Sequence, residues 1–115
     1  AKLELKEESI LLNGFKETEQ VWMSHGDEVV SLPNGFINPA STKDCKFAVV
    51  ENVDKKIFGI QFHPEVTHTI AGNTLLSNFI KICNVDHSWD IEEFLNIRIK
   101  EIKEEVGNKK VFILI

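Results

Sequence analysis

The run Ile57-Phe58-Gly59-Ile60-Gln61-Phe62 closes on His63-Pro64-Glu65, and no other stretch of the chain limits its fold as tightly. A short apolar run with a glycine inside it suits a strand buried between layers. Residues 47–53 precede it across Asp54-Lys55-Lys56, so the two runs predict a β-hairpin with a short polar connection. Side chains alternate along an extended chain, which puts His63 and Glu65 on one side. Pro64 strengthens this, because its own φ is fixed and the residue before it is pushed out of the α region. A carboxylate beside one imidazole nitrogen fixes the tautomer and stabilises the imidazolium, leaving the other nitrogen to take a proton from a nucleophile. A bare His-x-Glu is more often an incidental strand end, so the wider context has to decide.

Upstream, residues 3–5 and 9–12 carry enough β-compatible side chains for a short strand, and Asn13-Gly14 signals a turn. Residues 21–23 read as a strand that stops at Ser24-His25-Gly26-Asp27, and residues 29–32 as another that ends at Pro33-Asn34-Gly35. Phe36-Ile37-Asn38 leads through Pro39 into a polar loop around Cys45. Downstream, Leu75, Leu76, Phe79, Ile80 and Cys83 are spaced for an amphipathic helix over 73–83, with Ser77, Asn78 and Lys81 outward and Asn84 closing it. Asp90 followed by Glu93 resembles a capping box opening a second helix. Its apolar positions Ile91, Phe94, Leu95, Ile99, Ile102 and Val106 recur at three and four, its charges form a solvated face, and Gly107 stands where a left-handed cap is expected. Residues 111–115 are apolar without alternation, which suits a central strand of a parallel sheet.

At 115 residues, 43% hydrophobic and 27% charged, the chain is at most one average soluble domain without signs of disorder. A formal net charge of -5 argues against holding nucleic acid through its phosphates, which needs a basic face. No apolar run approaches the roughly 20 residues of a membrane span, and Ala1-Lys2-Leu3-Glu4 has no signal-peptide core, so a cytoplasmic location is expected. Two cysteines are too few for a disulfide framework, and they form no metal-ligand spacing with the histidines. Neither suits a nucleophile elbow, which needs a strained turn flanked by small residues. Cys45 lies in a polar loop without glycine, and Cys83 near a helix end reads as a buried small hydrophobe.

Phe62-His63-Pro64-Glu65 after an apolar strand resembles the histidine and glutamate segment of class I glutamine amidotransferases, whose third catalytic member is a cysteine on such an elbow. Val21-Trp22-Met23-Ser24-His25-Gly26-Asp27 and Glu65-Val66-Thr67-His68-Thr69, with Gly72 following, narrow the resemblance to the GMP synthetase branch, over about residues 3–115. It implies an α/β fold: residues 1–86 as the C-terminal half of a flavodoxin-like amidotransferase domain, and 87–115 as a linker helix and first strand of an ATP pyrophosphatase domain. It also implies that His63 and Glu65 are catalytic and that Ser24, Gly26 and Asp27 line the glutamine site, with His25 either lining it or packing beneath it. The cysteine half and the glycine-rich ATP loop are expected outside this chain.

For the complete enzyme the resemblance implies glutamine, XMP and ATP as substrates, magnesium with the ATP, a homodimer, and no nucleic-acid or membrane partner. The isolated piece is expected to be inactive. Thr67 or Thr69 is placed to cap the next turn, His68 has no duty that spacing assigns, and facing the partner domain is one expectation for it. His87 and Trp89 are expected at the domain junction. An amidotransferase serving another acceptor would keep His63 and Glu65, and a binding module that has lost catalysis would keep the fold.

Overall fold

The computed structural model describes residues 1–85 and 90–113 and divides the chain into two units, Ala1–Asn84 and Val85–Ile115. Five strands form one sheet in the first unit: β1 (Lys2–Leu5), β2 (Thr18–Gln20), β3 (Ile37–Ser41), β4 (Val49–Asn52) and β5 (Ile57–Ile60). Their order is β2-β1-β3-β4-β5, and every pairing is antiparallel. The expected hairpin is β4-β5, with Val49 opposite Ile60 and Asn52 opposite Ile57. Gly59 leaves room for its partner strand there, because a Cβ on it would lie 2.8 Å from a Val50 methyl and make that side chain shift.

Strand β3 was not expected, and Pro39 explains why it is hard to read. A proline removes a ladder donor and is tolerated inside a sheet at a bulge. The register of β3 against β4 shifts between Ile37 and Ala40, placing Pro39 in that irregularity, while its carbonyl still accepts from the Lys6 N–H at 2.8 Å. Two other strands differ from expectation. The strand read at 21–23 lies earlier, at Thr18–Gln20, and Trp22 keeps only an isolated bridge to His63. Residues 29–32 form no strand; with Val30 82% exposed, that apolar run has no face to bury there.

Helix α1 (Gly72–Cys83) contributes Leu75 to the core that also holds Leu3, Leu11, Val49 and Phe62, and Asn84, in a left-handed conformation (φ 48°), ends it. Asn78 faces inward rather than to solvent: its amide donates to the carbonyls of Leu11 at 2.9 Å and Asn13 at 2.7 Å. Buried carbonyls demand such donors, and the 11–13 turn has no strand neighbour to supply them. From β4, Glu51 accepts from Ser9 Oγ and the Leu11 N–H at its Oε1, so the same turn is held on a second side.

The two cysteines exchange their expected roles. Cys45 is buried in the core, because Thr42 and Cys45 bond to each other twice and fold the loop inward. Cys83, in the last position of α1, is exposed.

In the second unit, α2 (Ile91–Val106) starts where Asp90 accepts from the Glu92 N–H at 2.8 Å. Gly107 closes it at φ 52° and ψ -122°, a positive φ but not the left-handed helical cap expected. Residues 111–113 join no ladder among the described residues, and a strand exists only where a neighbour takes up its backbone groups. Leu114 and Ile115, the rest of that expected strand, lie outside the described residues, as do His87 and Trp89.

Candidate active site

The chain leaving β5 is anchored before it reaches the histidine. The Gln61 N–H bonds to the Ala48 carbonyl at 2.9 Å, Phe62 is buried in the core, and the His63 N–H bonds to the Trp22 carbonyl at 2.9 Å. The regular strand stops at Ile60, earlier than the apolar run suggests, yet the extended geometry persists to His63 through these bonds.

His63 and Glu65 meet as the spacing predicts, with Nδ1 to Oε1 at 2.9 Å and both side chains about half exposed. An ionised carboxylate only accepts, so Nδ1 carries the proton and Nε2 presents its lone pair outward. The Glu65 carboxyl is held below the ordinary glutamate range, first by its own backbone N–H and then by the His63 ring. The contact is therefore complete above the usual carboxylate range and lost only as pH falls through the lowered value. A carbon-13 titration of the Glu65 carboxyl should give a midpoint below the usual value of about 4.3. In His63→Ala it should rise part of the way, since the backbone donor remains; an unshifted midpoint in the parent chain would contradict the geometry.

Gly72 sets the seat of this pair. A Cβ on Gly72 would fall 1.9 Å from the Pro64 carbonyl oxygen, so the first residue of α1 lies directly against the backbone between His63 and Glu65. No side chain fits between them.

Ser24, His25, Gly26 and Asp27 form an exposed, irregular segment following Trp22. The His25 Nδ1 pairs with the Asp27 carbonyl at 3.0 Å, and Gln61 Nε2 reaches the same carbonyl at 3.5 Å, tying the segment to the chain that carries His63. Gly26 has no steric reason within the chain to be glycine: its φ is not positive, and a Cβ would meet nothing within 4 Å.

Thr69 caps nothing with its side chain. Buried, its hydroxyl accepts from the Trp22 N–H at 3.0 Å and donates to the His63 carbonyl at 2.5 Å. His68 packs against Trp22 with the rings tilted 41° and their centroids 5.0 Å apart, and its carbonyl accepts from Gln20 Nε2 at 3.2 Å. Sequence reasoning missed what Gly72, Gln61 and Thr69 do here. A glycine directly before a helical run is a visible signal of close approach; the partners of Gln61 and Thr69 leave no local trace.

Cys45 lies in the buried core, and burial pushes its thiol up, away from the thiolate that a nucleophile needs. Among the described residues no group of three or more His, Cys, Asp and Glu side chains is arranged to hold a metal ion, and no helix is long and apolar enough to cross a membrane.

Comparison with known proteins places these observations. Residues 1–83 match the family described as glutamine amidotransferase class-I. A probable glutamine-hydrolysing GMP synthase of Leptospira interrogans is 55% identical over 106 residues, 91% of this chain and 18% of that protein. GMP synthases of Clostridium botulinum (46% identical, 93% of this chain, 21% of theirs) and Aquifex aeolicus (43%, 96% and 22%) are also similar. The chain thus spans about a fifth of the curated relatives it matches. The crystal structure of a putative GMP synthase subunit from Thermoplasma acidophilum superposes with a TM-score of 0.68 at 29% identity, covering 90% of this chain and 45% of that one.

Proposed function

Since this chain belongs to the class-I glutamine amidotransferase family, we propose that it supplies the histidine and glutamate of a glutamine-hydrolysing centre within a GMP synthase. The observation that carries the reading is the 2.9 Å contact from His63 Nδ1 to Glu65, which leaves Nε2 free on an exposed face. A cysteine outside these residues provides the thiol. His63 Nε2 takes its proton as the sulfur attacks the side-chain amide carbon of glutamine, and returns it to the nitrogen as the C–N bond breaks and ammonia leaves. Water then attacks the glutamyl thioester, giving up its proton to His63, and glutamate departs as the thiol is restored. Glu65 holds the ring in the right tautomer and stabilises it when charged.

Ser24, His25, Gly26 and Asp27 hold the glutamine, partly through main-chain groups. The bare surroundings of Gly26 support this, since a residue without Cβ lets a ligand approach the backbone. The tie from Gln61 to Asp27 supports a common frame for the segment and His63.

The identity of 43–55% to proteins named GMP synthase supports the acceptor. In that reading the ammonia aminates XMP after ATP has activated it, with magnesium, at a second site, residues 87–115 being the linker helix and first strand of an ATP pyrophosphatase domain. In this proposal ATP and magnesium belong to the part of the relatives that this chain does not span. A homodimer in the cytoplasm completes the proposal.

The test is conversion of XMP to GMP by the protein as its gene encodes it, with ATP and magnesium and either glutamine or an ammonium salt. GMP from both donors is expected. GMP from neither, alongside glutamate release from glutamine, would assign the centre to another acceptor.

A further inference from the structure

Two antiparallel residues that face each other as a hydrogen-bonded pair normally exchange both of their N–H and C=O groups directly. Trp22 and His63 exchange only one: the His63 N–H reaches the Trp22 carbonyl at 2.9 Å. In place of the reciprocal bond stands the Thr69 hydroxyl, accepting from the Trp22 N–H at 3.0 Å and donating to the His63 carbonyl at 2.5 Å. A hydroxyl has one proton and two lone pairs, so it serves both groups at once. Thr69 is itself fixed: it is buried, its N–H bonds to the Val66 carbonyl at 3.0 Å and its carbonyl accepts from Gly72 at 3.1 Å. One side chain therefore ties three segments: the one running into Ser24–Asp27, the one carrying His63, and the turn entering α1.

We infer that Thr69 is a positioning residue for glutamine hydrolysis: its inserted hydroxyl sets the separation between the Trp22 segment and His63, and so holds the imidazole at the correct distance from bound glutamine. The inference rests on the glutamine-hydrolysing reading above. Valine has the shape of threonine without the hydroxyl, so Thr69→Val leaves the Trp22 N–H and the His63 carbonyl without their partner. Serine keeps the hydroxyl. Small displacements of a catalytic group lower the rate of the chemical step more than they weaken binding.

The experiment uses the protein as its gene encodes it and compares the parent with Thr69→Val and Thr69→Ser for glutamine hydrolysis and for ammonia-dependent amination. In Thr69→Val, kcat for glutamine should fall about ten- to a hundredfold with KM changed less than about threefold. Thr69→Ser should recover most of that loss, and ammonia-dependent amination should be unaffected in both. A Thr69→Val enzyme hydrolysing glutamine at the parent rate, a serine variant as impaired as valine, or an equal loss with ammonia would each overturn the inference while leaving the function standing. A parent protein that does not hydrolyse glutamine would overturn the function and the inference together. Should Thr69→Val not fold, amide hydrogen exchange on the parent reads the relay directly. The Trp22 N–H should exchange at least about tenfold slower than an unstructured amide, and free exchange would refute it.

Discussion

Replacing His63 with alanine is expected to lower glutamine-dependent amination by about a hundred- to ten-thousandfold, the range a positioned general acid–base contributes. Ammonia-dependent amination should persist, because in the proposed reaction His63 acts before ammonia exists and only on the glutamine side. The substitution removes an exposed ring and spares the backbone bond from the His63 N–H to the Trp22 carbonyl, so the fold should survive it. Steady-state rates with each nitrogen donor decide the matter. An equal loss with both donors would mean that alanine has disturbed the whole protein, and the catalytic assignment would fall.

Gly72→Ala is expected to have the largest effect on stability. Its Cβ would lie 1.9 Å from the Pro64 carbonyl oxygen and 2.9 Å from the carbonyl carbon, and neither is a flexible side-chain end that can swing away. Either α1 or the 63–65 segment has to move, at a cost of about 3 kcal/mol. Urea unfolding should show the loss as a lower midpoint, and glutamine hydrolysis should fall with it because His63 and Glu65 ride on the displaced segment. Gly26→Ala is the control for stability: nothing lies within 4 Å of its added Cβ, so its midpoint should stay within about 0.5 kcal/mol of the parent. A Gly72→Ala protein as stable as Gly26→Ala would show that the contact with Pro64 is not fixed.

What the sequence revealed was what lies close together along it. His63 and Glu65 are two residues apart, and their meeting needed only an extended backbone and a proline. The β4-β5 hairpin and helix α1 followed from local periodicity, and Asn84 was read as the residue that closes α1. Strand β3 was hidden because Pro39 reads as an interruption until the irregular register beside it is seen. The cysteines misled because burial depends on how a loop folds: two bonds between Thr42 and Cys45 turn a polar-looking segment inward. Asn78 reads as a surface residue because its partners, the carbonyls of Leu11 and Asn13, lie more than sixty positions away. Within the site the same rule held. The pair itself was legible, whereas the relay through Thr69 joins residues 22, 63 and 69, and no periodicity links those numbers.

The reach of Asn78 also orders events in time. Its amide completes the turn at 11–13 from more than sixty positions further along the chain, so that turn is finished by a residue made well after it. Until α1 forms and docks, the Leu11 and Asn13 carbonyls must be served by water, and the turn beside β1 and β2 stays provisional. Contacts across so long a loop are slow to close but lose little more for each added residue. Strands β1 and β2 therefore wait on the helix, and Gly72, at that helix's first turn, seats the segment carrying His63 and Glu65 in the same docking event. Completing the 11–13 turn and seating the His63–Glu65 pair become one step.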